Sequence, residues 1–234
     1  MGGRACERRV VLGLRVHRLV YAQVSANGRR RGPGAAHNVW AMKKTVLAGV
    51  GIGVAAFTIS DVVNREMSPV GETISRFVNT SAGWLVPLGL VAIALAAAAL
   101  TVAVARTRTS RAGTWLLGIW SLGVLLAAIF PADPPGQWDN PSVPESVHGF
   151  SAWAAFAAFT AAAVVLTRAW PRDGLLTGTT VALVSGMILF VVTLVDVMVS
   201  RSLPPVVGLT ERIAIAASLG WMALAAVRLP RVSR

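Results

Sequence analysis

The chain has 234 residues, of which 55% are hydrophobic and 14% are charged. A soluble globular domain carries about a quarter charged residues, and the apolar excess here lies in six uninterrupted stretches near membrane-spanning length. The composition therefore excludes a soluble enzyme, a disordered chain and a disulfide scaffold, and it predicts an all-α polytopic membrane protein. A net charge of +12 also occurs in nucleic-acid-binding proteins, so the positions of the charges decide what it means.

The first 41 residues contain eight arginines and one glutamate, which is +7 of the total charge. They are rich in Gly, Pro and Arg around 29–34 and have no sustained apolar period, so we predict a disordered basic extension. Met42-Lys43-Lys44 then precedes an apolar run, as is typical of the start of a bacterial membrane protein. We expect Met42 to be the natural start and 42–230 to be the transmembrane domain. The alternative is a basic arm that binds anionic lipid headgroups.

Six segments are long enough to span a membrane, for which a helix needs about 20 apolar residues. The predicted spans are about 45–62, 83–105, 112–130, 148–168, 175–197 and 208–228. The first span has the shortest charge-free stretch, and the alternative interpretation of this segment is a cleaved signal peptide. No small-x-small cleavage site follows, because Phe57-Thr58-Ile59 occupies that place. We therefore predict six transmembrane helices in three hairpins.

The connections between the spans alternate in charge. From Met42 onward, the N-terminal flank, 106–111, 168–173 and the C-terminal tail contain ten Lys and Arg and one acid, Asp173. The other three connections contain four Arg and eight acids. The positive-inside rule places the basic set in the cytoplasm. This predicts a multi-pass protein of the bacterial plasma membrane with both termini cytoplasmic.

A polar pattern recurs at the three outer connections. Each odd-numbered span ends at an aspartate, and 15 or 16 residues later the next span begins near a basic or titratable residue. The three pairs are Asp61 with Arg76, Asp133 with His148, and Asp196 with Arg212. Ionisable residues at membrane depth usually face a bundle interior or a water-filled cavity, so we predict that these six and Glu211 form one outward-facing binding pocket. The repeated spacing also suggests an internal repeat; alternatively, Asp61 and Asp196 mark the water boundary or pair with Arg65 and Arg201.

His148 and Asp133 are the candidate catalytic residues, as a proton-transfer or ligand-binding pair, with a purely structural histidine as the alternative. A zinc hydrolase or bis-His haem site requires more histidines than the one on this side. The lone cysteine, Cys6, permits neither an intramolecular disulfide nor a Cys-based metal site. The sequence contains no Walker-type loop, no Gly-x-Ser-x-Gly and no His-Glu-x-x-His. We therefore expect no metal, no cofactor and no nucleic-acid partner.

Four short motifs resemble those of the uncharacterised bacterial membrane-protein family called domain of unknown function 998. They are Ser60-Asp61 closing the first span, Phe130-Pro131-Ala132-Asp133 closing the third, His148-Gly149 opening the fourth, and Gly208-Leu209-Thr210-Glu211-Arg212 opening the sixth. The resemblance extends from Met42 to about Arg228. It implies a six-helix membrane protein and no particular activity.

These observations favour a binding protein over an enzyme. We expect an outer-facing polar pocket that binds a small molecule, a lipid headgroup or an ion, with the lipid bilayer as the surrounding partner. The alternatives are a membrane-embedded enzyme that acts on a lipid-like substrate through His148 and Asp133, and a proton-coupled transporter of small solutes. The spans disfavour a transporter because they carry no charge near the bilayer midplane. Small residues such as Gly49 and Gly53 permit either a compact bundle or a dimerisation face.

Overall fold

The structure is a computed structural model that describes residues 34–137 and 140–229. The described residues from Met42 onward belong to one compact unit. Residues 34–41, the end of the predicted basic extension, are helical. The rest of the predicted basic extension, 1–33, lies outside the described residues. All contacts below belong to the unit 42–232.

The described residues form six long α-helices and one short 3₁₀ helix, and they contain no strand. The α-helices are α1 (Gly34–Val63), α2 (Leu85–Thr107), α3 (Arg111–Ile129), α4 (Val143–Ala169), α5 (Gly174–Val199) and α6 (Val207–Arg228), and the 3₁₀ helix is Ile74–Asn79. Each α-helix is long and apolar enough to cross a bilayer. The predictions of an all-α fold and of six candidate spans are confirmed.

Two helices begin earlier than their apolar runs. α1 begins at Gly34, where the prediction placed the first span at about 45. α4 begins at Val143 because the Ser142 side chain accepts a hydrogen bond from the Glu145 N–H and caps the first turn, which also contains Pro144. His148 therefore lies in the second turn of α4 and not at its start.

Small residues let the first two helices approach closely. A Cβ atom built on Gly49 would lie 2.6 Å from the Ala92 carbonyl oxygen of α2, and one built on Gly53 would lie 2.7 Å from the Ile93 side chain. In lipid, close backbone approach supplies the packing energy that hydrophobic burial supplies in water. These two glycines are thus used for packing within the chain.

The outer surface of the bundle is apolar, whereas small residues fill much of its interior. Leu95 of α2 and Ile188 of α5 are each 61% exposed, while the neighbouring Ala96 and Ala97 of α2 are fully buried. Large apolar side chains that face outward on every long helix would be costly in water and are favourable in hydrocarbon. The arrangement matches a bundle that is surrounded by lipid.

Candidate functional site

The connections α1–α2, α3–α4 and α5–α6 contact one another. The Arg76 Nη1 atom of the first donates a hydrogen bond of 2.6 Å to the Pro134 carbonyl of the second. The Leu209 N–H, just beyond the third, donates to the Val70 carbonyl of the first at 3.0 Å. We refer to residues 61–84, 130–148 and 196–212 together as the polar end of the bundle.

Asp61 and Arg212 form a two-point salt bridge that joins α1 to α6. The Arg212 Nε atom donates to Asp61 Oδ2 at 2.8 Å, and Nη2 donates to Oδ1 at 2.6 Å. Nη1 of Arg212 donates to the carbonyls of Glu72 and Gly208 at 2.9 and 3.0 Å. Its guanidinium carbon also lies 5.1 Å from the centre of the Phe77 ring. One side chain therefore joins two helices and the first connection.

Glu211 binds the first connection from α6. The Ile74 N–H donates to Glu211 Oε2 at 2.5 Å, so the carboxylate satisfies a backbone donor of the 3₁₀ helix, and the side chain is buried. Three residues earlier in the motif, Gly208 faces the same segment: a Cβ atom there would lie 2.1 Å from the Glu72 carbonyl oxygen. The absence of a side chain at 208 lets the first connection lie directly on the start of α6.

Arg76 lies among carboxylates at the polar end. Burial lowers the pKa of its guanidinium, and the negative charges of Glu145, Glu72 and Asp133 oppose that shift. Burial also raises the pKa of Glu72, and the positive charge of Arg76 opposes it. Within the residues that the structure describes, Glu72 Oε2 is a buried oxygen with no hydrogen-bond partner. Four titratable groups thus interact within this part of the molecule.

Asp133 and His148 each bind other partners in the structure. Asp133 accepts hydrogen bonds from the Ser142 N–H at 2.7 Å and the Ser142 hydroxyl at 2.6 Å, and these bonds lower the pKa of its carboxyl. The His148 Nδ1 atom lies 2.9 Å from the carbonyls of Ala127 and Phe130. No hydrogen bond joins the two side chains in the described part of the chain. The structure therefore contains no direct Asp133–His148 hydrogen bond, and the carbonyls at the end of α3 lie at Nδ1 of His148 instead.

Asp196 stabilises the turn that follows α5. Its carboxylate accepts hydrogen bonds from the Ser200 hydroxyl at 2.5 Å, the Ser202 hydroxyl at 2.7 Å and N–H at 3.1 Å, and the Leu203 N–H at 3.0 Å. It forms no salt bridge with Arg212, the partner that its spacing suggested; Arg212 binds Asp61 instead. The three aspartates, predicted to pair at 15 or 16 residues, thus have different partners, and the internal repeat stays a hypothesis.

A cavity of about 260 Å³ lies below the first connection, between α4, α5 and the start of α6. Its lining includes the polar side chains of Arg76, His148 and Glu211 and the apolar side chains of Phe190 and Leu194. A second cavity of about 60 Å³ adjoins it and shares five lining residues, Ser75, His148, Ala152, Phe156 and Glu211. A single water needs about 10–15 Å³, so the space admits a molecule much larger than water.

The seven predicted site residues divide into three groups. Arg76, His148 and Glu211 line the larger cavity. Asp61 and Arg212 form the neighbouring salt bridge, and Asp133 and Asp196 stabilise turns. Glu145, Ser75 and Glu72 were missed; of these only Glu145 had a signal, because Ser142-Val143-Pro144-Glu145 has the spacing of a helix capping motif. Among the described residues, no group of three or more His, Cys, Asp or Glu is placed to hold a metal ion.

Six apolar helices and a polar end define a multi-pass helical membrane protein. The sequence matches the family described as Protein of unknown function (DUF998) over residues 47–228, and the chain belongs to that family. The resemblance drawn from the four short motifs is confirmed. No curated protein and no solved structure gives a significant match to the chain.

Proposed function

We propose that this protein binds a small amphipathic molecule in the larger cavity, within the plasma membrane of a bacterium. The observation that supports this function is the mixed lining of the cavity: it contains the charged and titratable side chains of Arg76, Glu145, His148 and Glu211, together with the apolar Phe156, Phe190 and Leu194. Ligand pockets in proteins are mostly apolar, with a few polar groups that orient the ligand. The cavity is slightly smaller than the ~300–1,000 Å³ of pockets for drug-sized ligands, which favours a small ligand.

Filling the cavity should abolish binding. Gly149 lines the cavity, and a Cβ atom there meets nothing within 4 Å, so Gly149→Phe places a ring in open space. We expect native mass spectrometry of the protein in lipid nanodiscs to detect a bound small molecule in the wild type and not in Gly149→Phe. Gly220→Phe is the matched control, because Gly220 is also a helical glycine with open space and does not line the cavity. An unchanged set of bound molecules in Gly149→Phe would contradict this function.

A membrane-embedded enzyme is the second candidate, and the environment of His148 favours it. Carbonyl oxygens only accept hydrogen bonds, so the two at Nδ1 require the proton of a neutral ring to be on that nitrogen. Nε2 then carries the lone pair and is able to act as a base. In this candidate the carbonyls of Ala127 and Phe130 orient the ring, in place of Asp133. Recovery of a chemically altered molecule after incubation with the protein would distinguish catalysis from binding.

We also propose that the six helices form three hairpins with both termini in the cytoplasm, so that the polar end faces outward. The charge alternation supports this, and the one acid of the basic set has a local role: Asp173 caps α5 and pairs with Arg228 at 2.8 Å. In a Cys6→Ser background, Arg65→Cys should react with a membrane-impermeant maleimide in intact cells. Thr109→Cys, exposed in the α2–α3 connection, should react only after permeabilisation. The reverse labelling pattern would show the opposite orientation.

A further inference from the structure

Two deeply buried side chains present hydrogen-bond acceptors to the cavities. His148 is 7% exposed and Glu211 is 6% exposed, and both line the larger and the smaller cavity. The backbone occupies one polar atom of each, Nδ1 of His148 and Oε2 of Glu211. Nε2 of the neutral imidazole and Oε1 of the carboxylate are left for a ligand, and both accept hydrogen bonds. These two atoms therefore favour a headgroup that donates hydrogen bonds.

The charges around the cavity favour a positively charged headgroup. Asp61 and Arg212 neutralise each other in their salt bridge. Among the described residues, two acids and one cation line the cavity, namely Glu145, Glu211 and Arg76, and the negative charges of Glu72 and Asp133 also interact with Arg76. A site with a surplus of one charge sign attracts the opposite sign and disfavours its own. An anionic ligand would meet this surplus of carboxylates.

The apolar wall requires the rest of the ligand to be hydrocarbon. Phe156 and Phe190 contact each other edge to face, with ring centres 5.6 Å apart, and Leu194 and Met198 extend the wall. The smaller cavity adds a mostly apolar recess next to His148 and Glu211. A short alkyl or aromatic group fits both the size and the chemistry of this space.

Building on the proposed function, we propose that the ligand is a small primary amine with an apolar group, whose ammonium binds between Glu211 and His148. An ammonium group has three donors and no acceptor. It complements the two acceptors that line the cavity, and its charge strengthens the hydrogen bond to the carboxylate. The apolar group lies against Phe156 and Phe190.

Three aryl compounds of similar size test the headgroup: phenethylamine, 2-phenylethanol and 3-phenylpropanoate. Calorimetric titration of the full-length protein in nanodiscs, corrected with empty nanodiscs, should detect binding of the amine. We expect the alcohol to bind at least about tenfold more weakly, since a charge-assisted hydrogen bond is roughly twice as strong as a neutral one. The carboxylate should not bind measurably.

Glu211→Gln tests the position of the ammonium. Glutamine keeps an oxygen for the Ile74 N–H and removes the charge, so amine affinity should fall by at least about tenfold while the alcohol changes little. Glu66→Gln is the control, because it removes one negative charge from an exposed position at the same end. Its amine affinity should equal that of the wild type.

Three outcomes would overturn the amine proposal: equal binding of the alcohol or carboxylate to wild type, no binding of any of the three, or unchanged amine affinity in Glu211→Gln. The comparison of the three compounds on the wild type tests the amine proposal even where Glu211→Gln fails to fold.

The Gly149→Phe comparison separates this proposal from the proposed function. If Gly149→Phe excludes a bound molecule but the wild type shows no preference for the amine, the proposed function stands and the ligand is not an amine. An unaltered set of bound molecules in Gly149→Phe contradicts both the proposed function and the amine proposal.

Discussion

Arg212→Ala is expected to lower the free energy of unfolding by about 2–4 kcal/mol, because it removes both bonds to Asp61 and leaves that carboxylate without its cation. Breaking a fully buried ion pair costs about 3–5 kcal/mol, and here the side chains of Arg212 and Asp61 are still 17% and 24% exposed, which reduces the penalty. The variant also loses the bonds to the carbonyls of Glu72 and Gly208. Reversible unfolding in lipid, with wild type and variant in parallel, measures the difference.

A control and a double-mutant cycle separate the salt bridge from a general charge effect. Arg65→Ala removes a positive charge at an exposed position of the same end and should change stability by no more than about 0.5 kcal/mol. Asp61→Asn combined with Arg212→Gln should cost less than the sum of the two single substitutions, because each single variant already breaks the pair. If the single costs simply add, the salt bridge does not hold α1 to α6.

The helices could be predicted from sequence, although two of their starts could not. Charge-free apolar runs identify spans because the hydrocarbon core admits few charges, and all six were found. Helix starts that extend beyond the apolar run depend on capping and on local helix propensity. Ser142 extends α4 by a full turn before His148, and no hydrophobicity window detects that turn.

The pairing of the candidate site residues was not predicted from the sequence. Local spacing paired Asp61 with Arg76, whereas Asp61 binds Arg212, which lies 151 residues further along the chain. Arg76 in turn contacts Pro134 of the second connection. Which helices are neighbours depends on the packing of small residues along their whole length, and a single sequence does not specify that packing. Contacts between residues of different connections therefore leave no recognisable pattern in the neighbouring sequence.

The short motif that opens α6 explains why part of the site was nevertheless recognised. Gly208, Glu211 and Arg212 lie within five residues, and each contacts the first connection: the glycine by close approach, the glutamate through Ile74 and the arginine through Glu72. A segment that binds one partner through several residues forms a compact pattern in sequence. The hydrogen bonds of the Asp133 and Asp196 carboxylates, in contrast, stay within or next to their own connections.

Gly208→Ala is expected to be among the most destabilising single-methyl additions in this chain, by about 3 kcal/mol. Overpacking a well-packed interior typically costs about 1–3 kcal/mol, and here the new Cβ would lie 2.1 Å from the Glu72 carbonyl oxygen and 2.7 Å from that of Pro69. Both are backbone atoms, so no side-chain rotation relieves the clash. The first connection must move away from α6 as a whole.

Gly220→Ala is the matched control on the same helix. A Cβ atom there meets nothing within 4 Å, and alanine is favoured over glycine in a helix by up to about 1 kcal/mol. This variant should therefore be neutral or slightly more stable than wild type in the same unfolding measurement. Equal destabilisation by Gly208→Ala and Gly220→Ala would mean that close approach at 208 is not what requires glycine.

Combining Gly208→Ala with Arg212→Ala tests whether the two residues stabilise one contact. Moving the first connection away from α6 also lengthens the bond from Arg212 to the Glu72 carbonyl, which is the atom closest to the new Cβ. The double variant should then lose less stability than the sum of the single variants, as is usual for residues that share a partner. If the losses in unfolding free energy of the two single variants simply add, the two residues stabilise the structure independently. The contact between α6 and the first connection would then not be cooperative.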